Sequence, residues 1–368
     1  MIVLKYFLFF ALVIILLGGV FFAYLYLSQS KNLSEERVQN SPHFKEGSFH
    51  NFEPISIKQW GFFEYIILIK DIFFSSKFMP EKEIVSLKND LKNLPRADEV
   101  LVWFGHSSYL IQTSNKRFLI DPVLKSNASP SFLVKPFKGS DIYGVEDLCE
   151  LDYLIITHDH YDHLSQSTIS KLAEFQMQNL QKVIVPLGVG KYLRDFGIDE
   201  SKIVELDWGE SVKLSEDLTL NFVTSRHYSG RNFWNKSKTL WGSYVLKSKN
   251  KQIFMSGDTG YGKHFKDIGD KFGKIDLVIM ENGQYNEDWR NVHIFPSEAL
   301  KATQELNSKR FMPIHNSKFK IALHEWNAPH KELSEAAKSY PEIALFRPKI
   351  GEIAPLWDAN YTFETWWE

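Results

Sequence analysis

Residues 157–164 read Thr-His-Asp-His-Tyr-Asp-His-Leu, which places three imidazoles and two carboxylates within six positions. Such groups are costly to bury unless something pairs with them. The segment leaves the apolar run 151–157, so it is expected at the end of a buried strand. Alternate side chains of extended backbone share a face, and His158 and His160 can therefore hold one cation. Asp162 and His163 follow a turn later, placed for a second. The single cysteine, Cys149, leaves no thiolate cluster and no intramolecular disulfide, so the metal ligands must be His, Asp or Glu.

More ligands stand in similar places. His227 ends the run 220–226, Asp258 ends 253–257, and His315 ends 311–314. Each lies just past an apolar strand-like stretch, where ligands converge at the mouth of an α/β sheet. His158, His160, Asp162, His163, His227, Asp258 and His315 suit a dinuclear centre, with Asp258 bridging. Imidazole-rich ligation without sulfur favours two Zn²⁺ per chain, and Fe or Mn also fits these ligand types.

The surrounding pattern agrees with an α/β fold. Short apolar runs at 100–104, 109–113, 117–120, 153–157, 183–185, 218–224, 253–256 and 277–280 read as strands. Residues 165–176, 261–272 and 297–306 read as helices. The chain has 368 residues, 44% hydrophobic and 24% charged, which excludes wholesale disorder. A net charge of −2 gives no global attraction to nucleic acid.

The N-terminal quarter differs. Residues 6–27 carry no charge over 22 positions, long enough to cross a bilayer as a helix, and no small-residue cleavage site follows. An uncleaved single-pass anchor is expected, with the side of the membrane unspecified by flanking charge. Residues 60–74 are apolar around a stripe of Glu64, Asp71 and Ser75, and read as a helix packed on the catalytic domain or lying at an interface or substrate groove. The expected organisation is an anchor at 1–30, a tether and amphipathic helical segment at 31–94, a hydrolase domain at 95–355 and a tail at 356–368.

The spacing H-x-H-x-D-H resembles the metallo-β-lactamase superfamily. Further blocks, Val102-Trp103-Phe104-Gly105-His106-Ser107-Ser108, Leu119-Ile120-Asp121-Pro122-Val123, Ala128-Ser129-Pro130, Pro186-Leu187-Gly188, Glu205-Leu206-Asp207-Trp208, Leu240-Trp241-Gly242-Ser243 and Ser256-Gly257-Asp258-Thr259-Gly260-Tyr261, are similar to its branch containing N-acyl-phosphatidylethanolamine-hydrolysing phospholipase D. The resemblance covers residues 95 to 330. It implies an αββα sandwich with two zinc ions at its edge. His158, His160 and His227 would hold one, and Asp162, His163 and His315 the other, with Asp258 shared. His293 matches a family histidine near the substrate phosphate, and His106 a non-ligand beside the site. Ser165, Asn316-Ser317-Lys318 and Glu281-Asn282-Gly283-Gln284-Tyr285 depart from the family pattern and bear on the substrate rather than on metal binding.

The expected function is a membrane-anchored phosphodiesterase acting on N-acyl-phosphatidylethanolamine-like lipids through a metal-bridging hydroxide, with Asp162, Asp258 and His293 catalytic and Lys318 a weaker candidate beside the phosphate. A lactonase or other carbonyl hydrolase shares the metal centre. So would a membrane-tethered binding protein without activity. A nuclease is disfavoured by the charge and by the 57 positions between Asp258 and His315, too few for a nucleic-acid cassette.

Overall fold

The computed structural model of the chain describes residues 6, 13, 35–129, 134–232 and 234–368. The expected anchor therefore lies outside the described residues except at two positions. Among the described residues no helix is long and apolar enough to cross a membrane.

Two seven-stranded sheets form the body. The first contains β1 (Val100–Trp103), β2 (Tyr109–Thr113), β3 (Lys116–Ile120), β4 (Tyr153–Ile155), β5 (Lys182–Pro186) and β6 (Ile203–Leu206), in sequential order, with a late strand, Ile353–Pro355, beside β1. The second holds β7 (Ser211–Ser215), β8 (Leu218–Val223), β9 (Ser243–Lys247), β10 (Gln252–Met255), β11 (Leu277–Glu281) and β12 (Arg310–Ile314), closed by Ala344–Leu345. Pairing is parallel from β3 to β6 and from β10 to β12. Parallel neighbours deliver their C-terminal ends to one edge, where ligands of open α/β sheets collect.

Alternation along the strands builds the layers. Ile253, Met255, Leu277 and Ile279 join Leu101, Tyr109, Phe118 and Ile155 in the core between the sheets. Their neighbours Phe254, Val278 and Met280 face the other way, onto Phe265, Leu300 and Leu333. The helices on that side are His264–Phe272, Pro296–Glu305 and Ala328–Ala336. Across the molecule, Val102, Leu110, Leu119 and Leu154 pack on Ile169 and Leu172 of the helix Gln166–Gln176. Ser165 caps that helix, its side chain accepting from the Thr168 amide. The result is the αββα sandwich that the resemblance implied.

Two expectations need correction. Residues 35–60 are no free tether. Val38 and Phe49 are buried, the Phe49 amide donates to Ser237 O at 2.7 Å, and Lys58 N donates to Asp288 O at 2.7 Å. The polar character of this stretch reflects hydrogen bonding to the body rather than solvation. The C-terminal residues are no loose tail either: Trp366 and Trp367 are buried, with Trp366 against Trp103 and Asn327 donating to Trp367 O at 2.8 Å. Apolar rings at a terminus supply the burial that ties it down.

The helix expected within 60–74 forms as Phe62–Ile69 (hereafter the rim helix), followed by one wider turn, Lys70–Phe74. None of its residues is fully buried, and it meets the body along one side only, where Leu68 packs against Trp289, Val292 and Ala322.

Candidate metal centre

All seven expected ligands meet at the shared C-terminal edge. The loop after β4 brings His158, His160, Asp162 and His163. His227 follows β8, Asp258 follows β10, and His315 follows β12 directly.

Asp258 stands between two groups of donors. Its Oδ2 lies 3.7 Å from both His158 Nε2 and His227 Nε2. His160 Nδ1 is 2.9 Å from His158 Nε2 and 3.3 Å from His227 Nε2. On the other side, Asp258 Oδ1 lies 3.1 Å from His163 Nε2 and 3.2 Å from His315 Nδ1. Asp162 Oδ2 sits 3.7 Å from His163 Nε2 and 2.9 Å from His106 Nε2. The donor atoms of His158, His160, His227 and Asp258 all lie within 4.8 Å of one another, as do those of His106, Asp162, His163 and His315. Four ligands at about 2.0–2.2 Å from a tetrahedral cation stand roughly 3.4 Å apart, so both groups have the right size.

Orphaned atoms test the fit. His163 Nε2 and Asp258 Oδ1 are buried and have no hydrogen-bond partner. Such atoms cost about 1–3 kcal/mol each unless satisfied, and a shared divalent cation satisfies both. Burial above all holds His158 and His227 well below the ordinary histidine range, so they present neutral lone pairs. Although burial also opposes charge on His163, the carboxylates of Asp258, Asp162 and Asp121 raise it well above that range. That excess of negative charge is what a cation would balance.

Outer contacts aim the rings. Asp121 Oδ2 receives His163 Nδ1 at 2.7 Å and the Thr157 hydroxyl at 2.6 Å. With the Thr157 hydroxyl donating there, its oxygen is left to accept from His158 Nδ1, 3.0 Å away, which turns the Nε2 lone pair inward. His227 Nδ1 donates to Val292 O at 2.9 Å with the same consequence. Asn51, in the N-terminal arm, clamps the His227 backbone, donating to its carbonyl at 2.7 Å and accepting from its amide at 3.1 Å. Left-handed backbone clusters here at non-glycine residues, with φ of 53° at His106, 42° at Asp121 and 66° at His315. Strain of this kind persists where the surrounding structure over-determines it, as at functional sites. The crossed bonds His315 N to His106 O (3.0 Å) and His106 N to Asn316 O (2.9 Å) hold two of these residues.

His293 joins the rim, its ring 5.2 Å from both His227 and His315. Glu281, the last residue of β11, was not anticipated. Its Oε2 lies 2.7 Å from His293 Nδ1, and its Oε1 accepts the Thr259 amide next to Asp258. Although desolvation opposes charge on the part-buried His293, Glu281 and then Asp258 raise its basicity. Asp258, Glu281, His293 and His315 form a third compact donor group. Asp121 and His106 stood in recognisable blocks, but nothing local in the sequence joined Glu281 to a histidine 12 positions away. Lys318 does not offer a free charge at the metal edge. It is fully buried, donating to Phe104 O at 3.1 Å, Val123 O at 2.7 Å and Asp141 Oδ1 at 2.8 Å. Packing between these carbonyls makes it a structural cation.

The profile of the beta-lactamase superfamily domain matches residues 116–316. An uncharacterised protein of Mycobacterium tuberculosis is 34% identical over 82% of this chain and 81% of its own. The N-acyl-phosphatidylethanolamine-hydrolyzing phospholipase D 1 of Caenorhabditis elegans is 29% identical over 70% of this chain and 75% of its own. Among solved structures, the metallo hydrolase Igni18 of Ignicoccus hospitalis superposes with a TM-score of 0.52 at 18% identity, covering 69% of this chain and 97% of that one, a likeness of fold. With two donor groups sharing one aspartate on an αββα frame, the chain belongs to the beta-lactamase superfamily and is a metal-dependent hydrolase.

Proposed function

We propose that the chain is a membrane-anchored phosphodiesterase of the phospholipase D type, acting on N-acyl-phosphatidylethanolamine-like lipids with two zinc ions per chain. The observation that carries this reading is His293, held by Glu281 beside a histidine of each donor group, His227 and His315. A tetrahedral phosphoryl group presents two non-bridging oxygens and a charge that grows in the transition state, which such a donor favours. Likeness to the nematode protein adds support, and residues 6–27, read as an anchor, suit a substrate that stays in the bilayer.

His158, His160 and His227 would hold one cation, and Asp162, His163 and His315 the other, with Asp258 serving both. Bound there, a pair of divalent cations supplies Lewis acidity and lowers the pKa of water toward about 7. Asp162, fixed by His106, and Asp258 orient the attacking water and accept its proton. His293 donates to a phosphoryl oxygen. The water oxygen bonds to phosphorus as the bond to the headgroup alcohol breaks, and the proton taken from water passes to the departing oxygen, leaving phosphatidate and the N-acylated amino alcohol.

The test offers detergent-purified, zinc-loaded full-length protein an N-acyl-phosphatidylethanolamine and a matched lactone. Release of phosphatidate from the lipid is expected. Rapid lactone opening with no phosphatidate would replace this reading with a carbonyl hydrolase.

A further inference from the structure

The rim helix exposes its largest side chains. Phe62 and Phe63 are 74% and 78% exposed, and Ile67 is 58% exposed. Burying each such side chain is worth about 1.5–3 kcal/mol, so a run of them left open marks a surface that meets something. The helix is nevertheless fixed at both ends. Trp60 Nε1 donates to Asp288 Oδ2 at 3.1 Å, and the Glu64 carboxylate accepts the Gly61 amide at 2.9 Å. At the far end, Lys320 Nζ donates to the carbonyls of Asp71, at 2.7 Å, and Ser75. Asp288 stands five positions before His293, and Lys320 five after His315. The apolar surface is thus built onto the loops that frame the metal centre.

We infer that this helix docks on a lipid bilayer and sets the metal centre against the membrane surface. The inference rests on reading residues 6–27 as a bilayer anchor. Only seven residues, 28–34, separate that run from the folded arm. Fully extended they span about 25 Å, so the body cannot stand far from the membrane. From there the arm runs by hydrogen bonds past His227, through Asn51, to Trp60 and the rim helix. Tryptophan and tyrosine favour the headgroup boundary, and phenylalanine is among the residues that interfacial helices bury there. The charges around the helix, Lys58, Glu64, Lys70 and Asp71, balance, so apolar burial drives docking. Binding therefore needs no anionic lipid and resists salt.

The test follows full-length protein first in a lipid-free peptide belt and then after transfer to added phosphatidylcholine vesicles. Phe63→Cys carries an environment-sensitive fluorophore, since the native Cys149 is buried. Lys274→Cys, before β11 and away from the ligand edge, carries the control label. The Phe63 probe is expected to shift to the blue on vesicle addition, to be quenched by lipids carrying a shallow spin label, and to stay so as salt rises from roughly 0.1 to 1 M, where the Debye length falls from about 10 to about 3 Å. The control should do neither. Protein that floats with vesicles while its Phe63 probe stays in water overturns the docking and spares the anchor. Protein that does not float overturns both. A probe already shifted before vesicles are added, whether covered by residues 6–27 or by a second copy, also overturns the inference.

Discussion

Glu281 acts on chemistry it does not touch. By accepting from His293 Nδ1 it fixes which nitrogen faces the metal edge, and by accepting from Thr259 N it braces the turn after Asp258. Glu281→Gln should lower turnover about 10- to 100-fold, the usual effect of losing an outer-shell partner, with metal content unchanged. His293→Ala should cost about tenfold to a thousandfold, as for other single transition-state donors. Metal analysis beside steady-state kinetics separates these effects from loss of the cations. Lys318→Met belongs to stability instead. It strands Asp141 and two buried carbonyls, and should destabilise by about 3–5 kcal/mol in urea unfolding, with partial recovery in the double variant that adds Asp141→Asn. The histidines and aspartates that face the cations were legible because their chemistry is unusual at close spacing. Glu281 and the true place of Lys318 were not, because each is defined by partners distant in sequence.

At the scale of elements, long apolar runs announced themselves. The strand expected at 109–113 forms as Tyr109–Thr113, and the helix expected at 165–176 forms as Gln166–Gln176 with Ser165 as its cap. Less regular pieces escaped. β7 alternates exposed and half-buried positions at a sheet edge, and β9 follows directly on Trp241-Gly242, so neither shows a bounded apolar run. In the helix Ala328–Ala336 only Pro329, His330 and Leu333 are buried, too few to show a periodic stripe. The arm 35–60 read as solvated because its attachments are polar: Asn51 to His227, Lys58 to Asp288, and Arg226 to Pro54. Asn51→Ala removes the clamp on one ligand backbone and should weaken metal affinity about 10- to 100-fold, measured by competition with a chelating dye. For the segment 6–27, carbonate extraction is the matching measurement. Full-length protein should stay with the membrane fraction, and a mature N-terminus beyond residue 23 would make the segment a signal peptide.

Over the whole molecule, one edge of two sheets gathers every expected ligand, and cations bound there would tie the two sheets together through Asp258. Removing them should therefore lower the stability of the fold. At a metal concentration 100-fold above the dissociation constant, each site adds about 2.7 kcal/mol, so chelation should reduce the melting temperature measurably and metal return should restore it. The sharing of Asp258 between the two donor groups is the centre of this account. The direct measurement is metal content per chain, by elemental analysis, for the wild-type protein and Asp258→Ala. About two transition-metal ions in the wild type, and reduced occupancy of both sites in the variant, are the expected results. Two ions retained by Asp258→Ala, or a single ion in the wild type, would contradict it.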